Sequence, residues 1–174
     1  MPRMTLIDPA LCQQLSQRAR QNPRLRQNLN LHTDLAAPSQ RLLNALEPGT
    51  YVRPHRHTTP PRAETFIALQ GQLALCQFDD HGGLEQVVVL GGGSAVFGVD
   101  VAPGLWHAVI CLQSGTVFFE TKDGPYRPLE DKDWPNWAPA EGTLEAAQYL
   151  EQLQQRVMRW LEGEEVAGAR TARG

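Results

Sequence analysis

The chain has 174 residues, a formal net charge of −3 and 20% charged residues, enough for one sizeable core and ordinary for a water-facing globular protein. A weakly acidic balance excludes a basic nucleic-acid footprint, and no apolar run approaches the roughly 20 residues of a membrane span, so neither nucleic acid nor membrane is an expected partner. The three cysteines, Cys12, Cys76 and Cys111, are odd in number and widely spaced. A disulfide framework is therefore not expected, and with no signal-like N-terminus the natural setting is the cytoplasm.

Residues 1–40 read as a helical lid. Asp8 is placed to cap a helix and Pro9 suits its first position; Leu11, Leu15 and Ala19 then recur every four residues, and Asn22-Pro23 stops the pattern. Leu25, Leu29 and Leu31 anchor a further turn or extended segment.

From Arg41 to Lys122 the pattern is that of strands. Leu42–Leu46, Tyr51–His57, Glu64–Leu69, Leu73–Phe78, Leu84–Leu90, Ala95–Val101, Trp106–Leu112 and Thr116–Thr121 are separated by Gly- and Pro-bearing turns. Roughly eight short strands spaced 8–12 residues apart are the rhythm of a β-sandwich or small barrel, and no helix fits among them. Residues 123–142, with Trp134 and Trp137 among several prolines, read as an ordered strap laid over the barrel. Thr143 caps a last helix over 143–163, striped by Leu150, Leu153, Val157, Trp160 and Leu161. This helix is expected to cover either its own barrel or a second subunit; because the core looks complete without it, the partner is favoured and a homodimer expected. Residues 164–174 are expected to be a disordered tail.

The stretch with chemical content is Pro54-His55-Arg56-His57. Residues two apart on a strand share a face, so His55 and His57 aim into one space while Arg56 faces away. Glu64 follows after a short loop and His107 some fifty residues on. Two imidazoles converging beside a carboxylate make a ready cation site, whereas the bland alternative is a solvated basic strand end. Arg53 shares the histidines' parity and is a candidate for holding an anionic substrate; Arg41 and Tyr126 are weaker substrate-binding candidates. His32 and His81 are expected on the surface.

Gly49, five residues, His55-x-His57, six residues, Glu64, six residues, Gly71 resembles the first motif of the cupin superfamily, and Ala102-Pro103-Gly104-Leu105-Trp106-His107 resembles the second. The resemblance implies a mostly β, cupin-type double-stranded β-helix (a jelly-roll barrel) in which His55, His57, Glu64 and His107 hold one divalent metal ion. Asn22-Pro23-Arg24-Leu25-Arg26, Asn30-Leu31-His32, Gln40–Ala45, Val52–His57, Gly124–Pro128 and Lys132 through Pro139 further resemble the WbuC-type cupin-fold metalloproteins of bacterial O-antigen gene clusters. The chain departs from the usual cupin pattern in two places. Six residues separate His57 from Glu64, longer than the three or four typical of cupins, and Cys111 stands where an Asn often follows the second-motif His.

Three His and one Glu leave open positions on a five- or six-coordinate ion and do not choose among Fe, Mn, Ni and Zn. The implied activity is that of a small-molecule metalloenzyme, its ligand lying in the barrel, acting on a sugar or sugar-nucleotide of surface-polysaccharide metabolism. The alternatives are a non-catalytic binding or sensor cupin and a metal-dependent dioxygenase. The residues do not name a catalytic acid or base.

Overall fold

The computed structural model describes residues 4–163; the tail expected from 164 onward lies outside them. Helix α1 (Pro9–Gln21) begins where Asp8 accepts a hydrogen bond from the Leu11 N–H at 2.9 Å and ends before Pro23. Eight strands follow: β1 (Arg26–Asn30), β2 (Ser39–Leu46), β3 (Glu64–Gln70), β4 (Gln72–Phe78), β5 (Leu84–Gly91), β6 (Gly98–Val101), β7 (Trp106–Cys111) and β8 (Thr116–Asp123). Helix α2 (Leu144–Leu161) closes the described chain, capped by Thr143.

The strands form two antiparallel sheets, β1-β2-β8-β3-β6 and β5-β4-β7. Setting β1 aside, the first sheet runs β2-β8-β3-β6, and the segment 51–57 bridges β7 at the edge of the second through His55 and His107. That nesting of outer, inner, inner and outer strands is the double Greek key of a jelly roll. The expected mostly β barrel with a helix at each end is the fold found.

The expected boundaries shift in three places. Residues 26–30 are not part of a helical lid: they add a strand to the edge of the first sheet. The segment 51–57 is not a continuous strand. It touches β7 only by the mutual backbone bonds of His55 and His107, at 3.0 and 2.9 Å. Pro54 has no N–H to give a ladder, and the Arg56 N–H bonds to Asp133 of the strap instead. The C-terminal helix packs on its own barrel. Ala146, Leu150, Leu153 and Val157 pack with Ala74, Cys76, Phe78, Trp106, Ala108 and Ile110 on the outer face of the second sheet.

Between the sheets lies the interior cluster of Leu46, Phe66, Leu73, Leu75, Leu90, Val101, Val109, Cys111 and Phe118. Alternation along β7 separates these layers: Trp106, Ala108 and Ile110 face α2, while His107, Val109 and Cys111 face inward. Helix α1 covers the outer face of the first sheet through Cys12, Leu15 and Ala19 against Leu43, Ala45 and Val117. The turn from β3 to β4 needs Gly71 at φ 71°, since a Cβ there would lie 2.7 Å from the Thr116 backbone.

Candidate metal centre

The inward face of the barrel brings together the four residues singled out by spacing and resemblance. One ligand atom from each of His55, His57, Glu64 and His107 lies within 4.8 Å of every other. His55 and His57 come from the segment beside β7, His107 from the second residue of β7, and Glu64 from the first residue of β3. Arg56 points the other way, 4.1 Å over the Trp106 ring, as strand alternation predicts.

The six-residue loop ahead of Glu64 folds away from the barrel. Thr58 pairs with Pro61 across it, and Asp133 accepts from both the N–H and the hydroxyl of Thr58, at 3.1 and 2.5 Å. Glu64 therefore returns to the cluster despite the extra residues, 2% exposed.

The polar atoms around the cluster fit a cation. The Nδ1 atoms of His55 and His107 lie 3.0 and 2.9 Å from the carbonyl oxygens of Arg53 and Leu105. A carbonyl only accepts, so each of these rings carries its proton on Nδ1 and turns a bare Nε2 inward. For His107 that lone pair meets Glu64 Oε2 at 2.9 Å. Two acceptors at this distance repel unless a proton or a cation lies between them. His57 Nε2 lies 3.0 Å from Glu64 Oε1, yet the direction is wrong for a hydrogen bond and the buried nitrogen has no partner. A buried polar atom without a partner is costly, and a divalent ion supplies one.

Electrostatics keep His55 and Glu64 in ligand form. Burial, reinforced by the neighbouring His107, lowers the His55 pKa to about 3, so the ring stays neutral. Burial alone would raise the Glu64 pKa, but the His107 and His57 rings lying against its two oxygens and the charge of Lys122 outweigh it and hold the group well below the usual carboxylate range.

The structure adds residues that spacing did not single out. Lys122 Nζ lies 2.5 Å from Glu64 Oε1 and 3.0 Å from Glu120 Oε1, and Asn44 donates to Glu120 Oε2 at 2.7 Å. Burial raises the Glu120 pKa; Lys122 is itself raised, because the two carboxylates outweigh the lowering by burial. The inward alternation of Phe118, Glu120 and Lys122 along β8 is the signal that finds them.

Arg53 donates to the carbonyls of Ala138 and Pro135, each at 3.0 Å, and stacks 5.0 Å from the Trp134 ring, tying down the strap. Arg41 is exposed, and Tyr126 is 47% exposed. Among the other histidines His81 is exposed as expected, but His32 is not. It is buried, its Nδ1 against the Arg41 backbone, because β1 carries it in beside β2.

Two clefts reach the cluster. One ends at His107 and is lined mainly by Leu75, Val88, Val99, Val101 and Leu105, with Gln77, Gln86 and Asp100. The other ends at His57 and is lined by the loop before Glu64 and the start of the strap.

A family described as a domain of unknown function (DUF6016) matches residues 7–90, just under half of the chain. No curated protein matches by sequence. Among solved structures, a cupin 2 domain-containing protein from Halorhodospira halophila is similar over 75% of this chain and 81% of its own, with 16% identity and a TM-score of 0.49. A cupin-2 domain protein from Rhodospirillum rubrum is similar over 80% and 79%, with 15% identity and a TM-score of 0.47. KdgF from Halomonas sp. is similar over 61% and 84%, with 14% identity and a TM-score of 0.46.

Proposed function

We propose that this chain is a cupin-fold protein that binds one divalent metal ion through His55, His57, Glu64 and His107, and that it acts as a small-molecule metalloenzyme. The observation that carries the reading is the convergence of four donor atoms with an unpartnered, buried His57 Nε2 among them. When bound, the ion would supply Lewis-acid polarisation and a template for substrate oxygens. The chain's own residues do the rest. The carbonyls of Arg53 and Leu105 orient two imidazoles, Lys122 steadies Glu64 through Oε1, and the apolar cleft at His107 limits water.

A sugar or sugar-nucleotide substrate of surface-polysaccharide metabolism belongs to the proposal through the WbuC-type segments alone. A cytoplasmic setting fits three free, buried thiols. A homodimer fits the outward apolar side chains Ile67, Leu69 and Phe97, and light scattering reads it.

One observation favours a second reading, a non-catalytic binding protein. Lys122 and Glu120 already partner each other, so neither stands free as a general acid or base. Elemental analysis of untagged protein tests the metal itself: near-stoichiometric metal in the wild type and a large loss in His57→Ala are expected, and equal, negligible metal in both sinks the proposal. Turnover of a candidate sugar nucleotide that disappears in His55→Ala favours the enzyme; binding without turnover favours the second reading.

A further inference from the structure

The long loop between His57 and Glu64 does more than bulge. It forms one wall of the cleft that ends at His57, through Thr58, Thr59, Pro60 and Arg62, while Arg127 and Asp133 contribute to the other wall. Arg62 is unusual among the arginines. It is only 5% exposed, yet it makes no ion pair with any carboxylate of the described residues. Its Nη2 donates to the Pro125 carbonyl at 2.7 Å, which anchors the side chain, and its buried Nε has no partner.

A guanidinium is a permanent positive charge with donors in a fixed fork. Burying one without an anion is costly, and an orphaned donor beside it adds to the cost. Asp133 does not serve as that anion: its Oδ1 accepts from Thr58 and its Oδ2 from the Glu130 N–H. The space inside the cleft is small, about 10 Å³, which is close to the room one water needs. It suits a single oxygen of an anion, with the rest of the ligand outside it.

We infer that Arg62, in the cleft walled by the 58–62 loop and Arg127, is the anion subsite of this centre and takes a carboxylate or phosphate oxyanion of the substrate beside His57. The inference deepens the metal-centre reading and rests on it for what lies beyond His57. It also gives the extra loop residues a role. They carry an arginine to the rim of the cluster, where a shorter connection has no room for it. An oxyanion gripped by a buried guanidinium would hold the rest of its molecule toward the inward Nε2 atoms.

Calorimetric titration of inorganic phosphate, and separately of acetate, into the full-length protein of measured metal content tests this. The wild type is expected to bind at least one of the two saturably at a single site. Arg62→Gln should weaken that binding at least tenfold with an unchanged circular-dichroism spectrum and unchanged metal content, and Arg62→Lys should weaken it less. Binding of phosphate alone, or of acetate alone, identifies which oxyanion the subsite prefers. Chelator-stripped wild type should still bind the anion, so failure of metal loading and failure of the subsite are told apart. No binding of either anion by folded wild type, or equal binding by Arg62→Gln, overturns the inference. If Arg62→Gln does not fold, Arg127→Gln replaces it, and undiminished binding there counts against the subsite in the same way.

Discussion

Lys122→Met removes one ammonium from between two buried carboxylates. The side chains of Lys122, Glu64 and Glu120 are 17%, 2% and 12% exposed, so solvent screens them little. At the observed 2.5 and 3.0 Å, an effective dielectric of 20 makes each attraction roughly 6 kcal/mol before desolvation is subtracted. Desolvation of the ions offsets most of that sum, and removing one partner of a buried pair typically costs about 3–5 kcal/mol. That is the loss expected for the chelator-stripped variant in urea unfolding at pH 8, followed by circular dichroism. The loss should shrink as the pH is lowered. Burial already raises the Glu120 pKa with Lys122 present, and without the ammonium it rises further. A carboxyl raised in the folded state takes up its proton there first, which relieves the penalty as pH falls toward that folded value. Loading with metal should also shrink the loss, since Glu64 regains a cation. Adding Glu120→Gln should restore part of the stability, because it removes the carboxylate left without a partner. A loss below about 1 kcal/mol, the worth of an exposed pair, or one that is the same at pH 8 and pH 5.5, refutes the reasoning.

Other outcomes follow from the same structure. His55 has a folded pKa lowered to about 3 from its ordinary 6.5. Between those values the unfolded chain binds a proton that the folded chain refuses, so the stripped protein should lose up to about 1.4 kcal/mol per pH unit as pH falls below 6.5. Below 4.5 the depressed Glu64 adds a loss in the same direction. Thermal melts from pH 8 to pH 4 check this, and a melting temperature flat between pH 6.5 and 4.5 contradicts it. Leu153, 1% exposed between α2 and the second sheet, should cost about 2–5 kcal/mol when cut to alanine. That loss should not depend on protein concentration, as it would if the helix were seated on a partner. The metal-content comparison of wild type with His57→Ala, and the anion titrations of Arg62 variants, complete the set.

Much of the barrel was legible because strand signals are local. Seven of the eight expected strands correspond to named elements, since alternation and Gly/Pro turns depend on neighbours in the chain. The exception is instructive. Tyr51–His57 alternates well enough to aim two imidazoles, but Pro54 and the strap reduce its pairing to one bridge. His32 misled for a related reason: a lone polar residue is usually exposed, and only the pairing of β1 with β2 buries this one.

By itself the sequence determined the inward parity of His55 and His57, the helix caps at Asp8 and Thr143, and the two sequence neighbourhoods that meet in the cluster. Each of these follows from spacing along a few residues of backbone. Only the tertiary structure decided that Lys122 sits on Glu64, because the β3–β8 register pairs residues 58 positions apart. It alone seated α2 on its own barrel and left Arg62 buried without an anion. Those are matters of what lies across a sheet or under a loop, and no local periodicity encodes the neighbour across the gap.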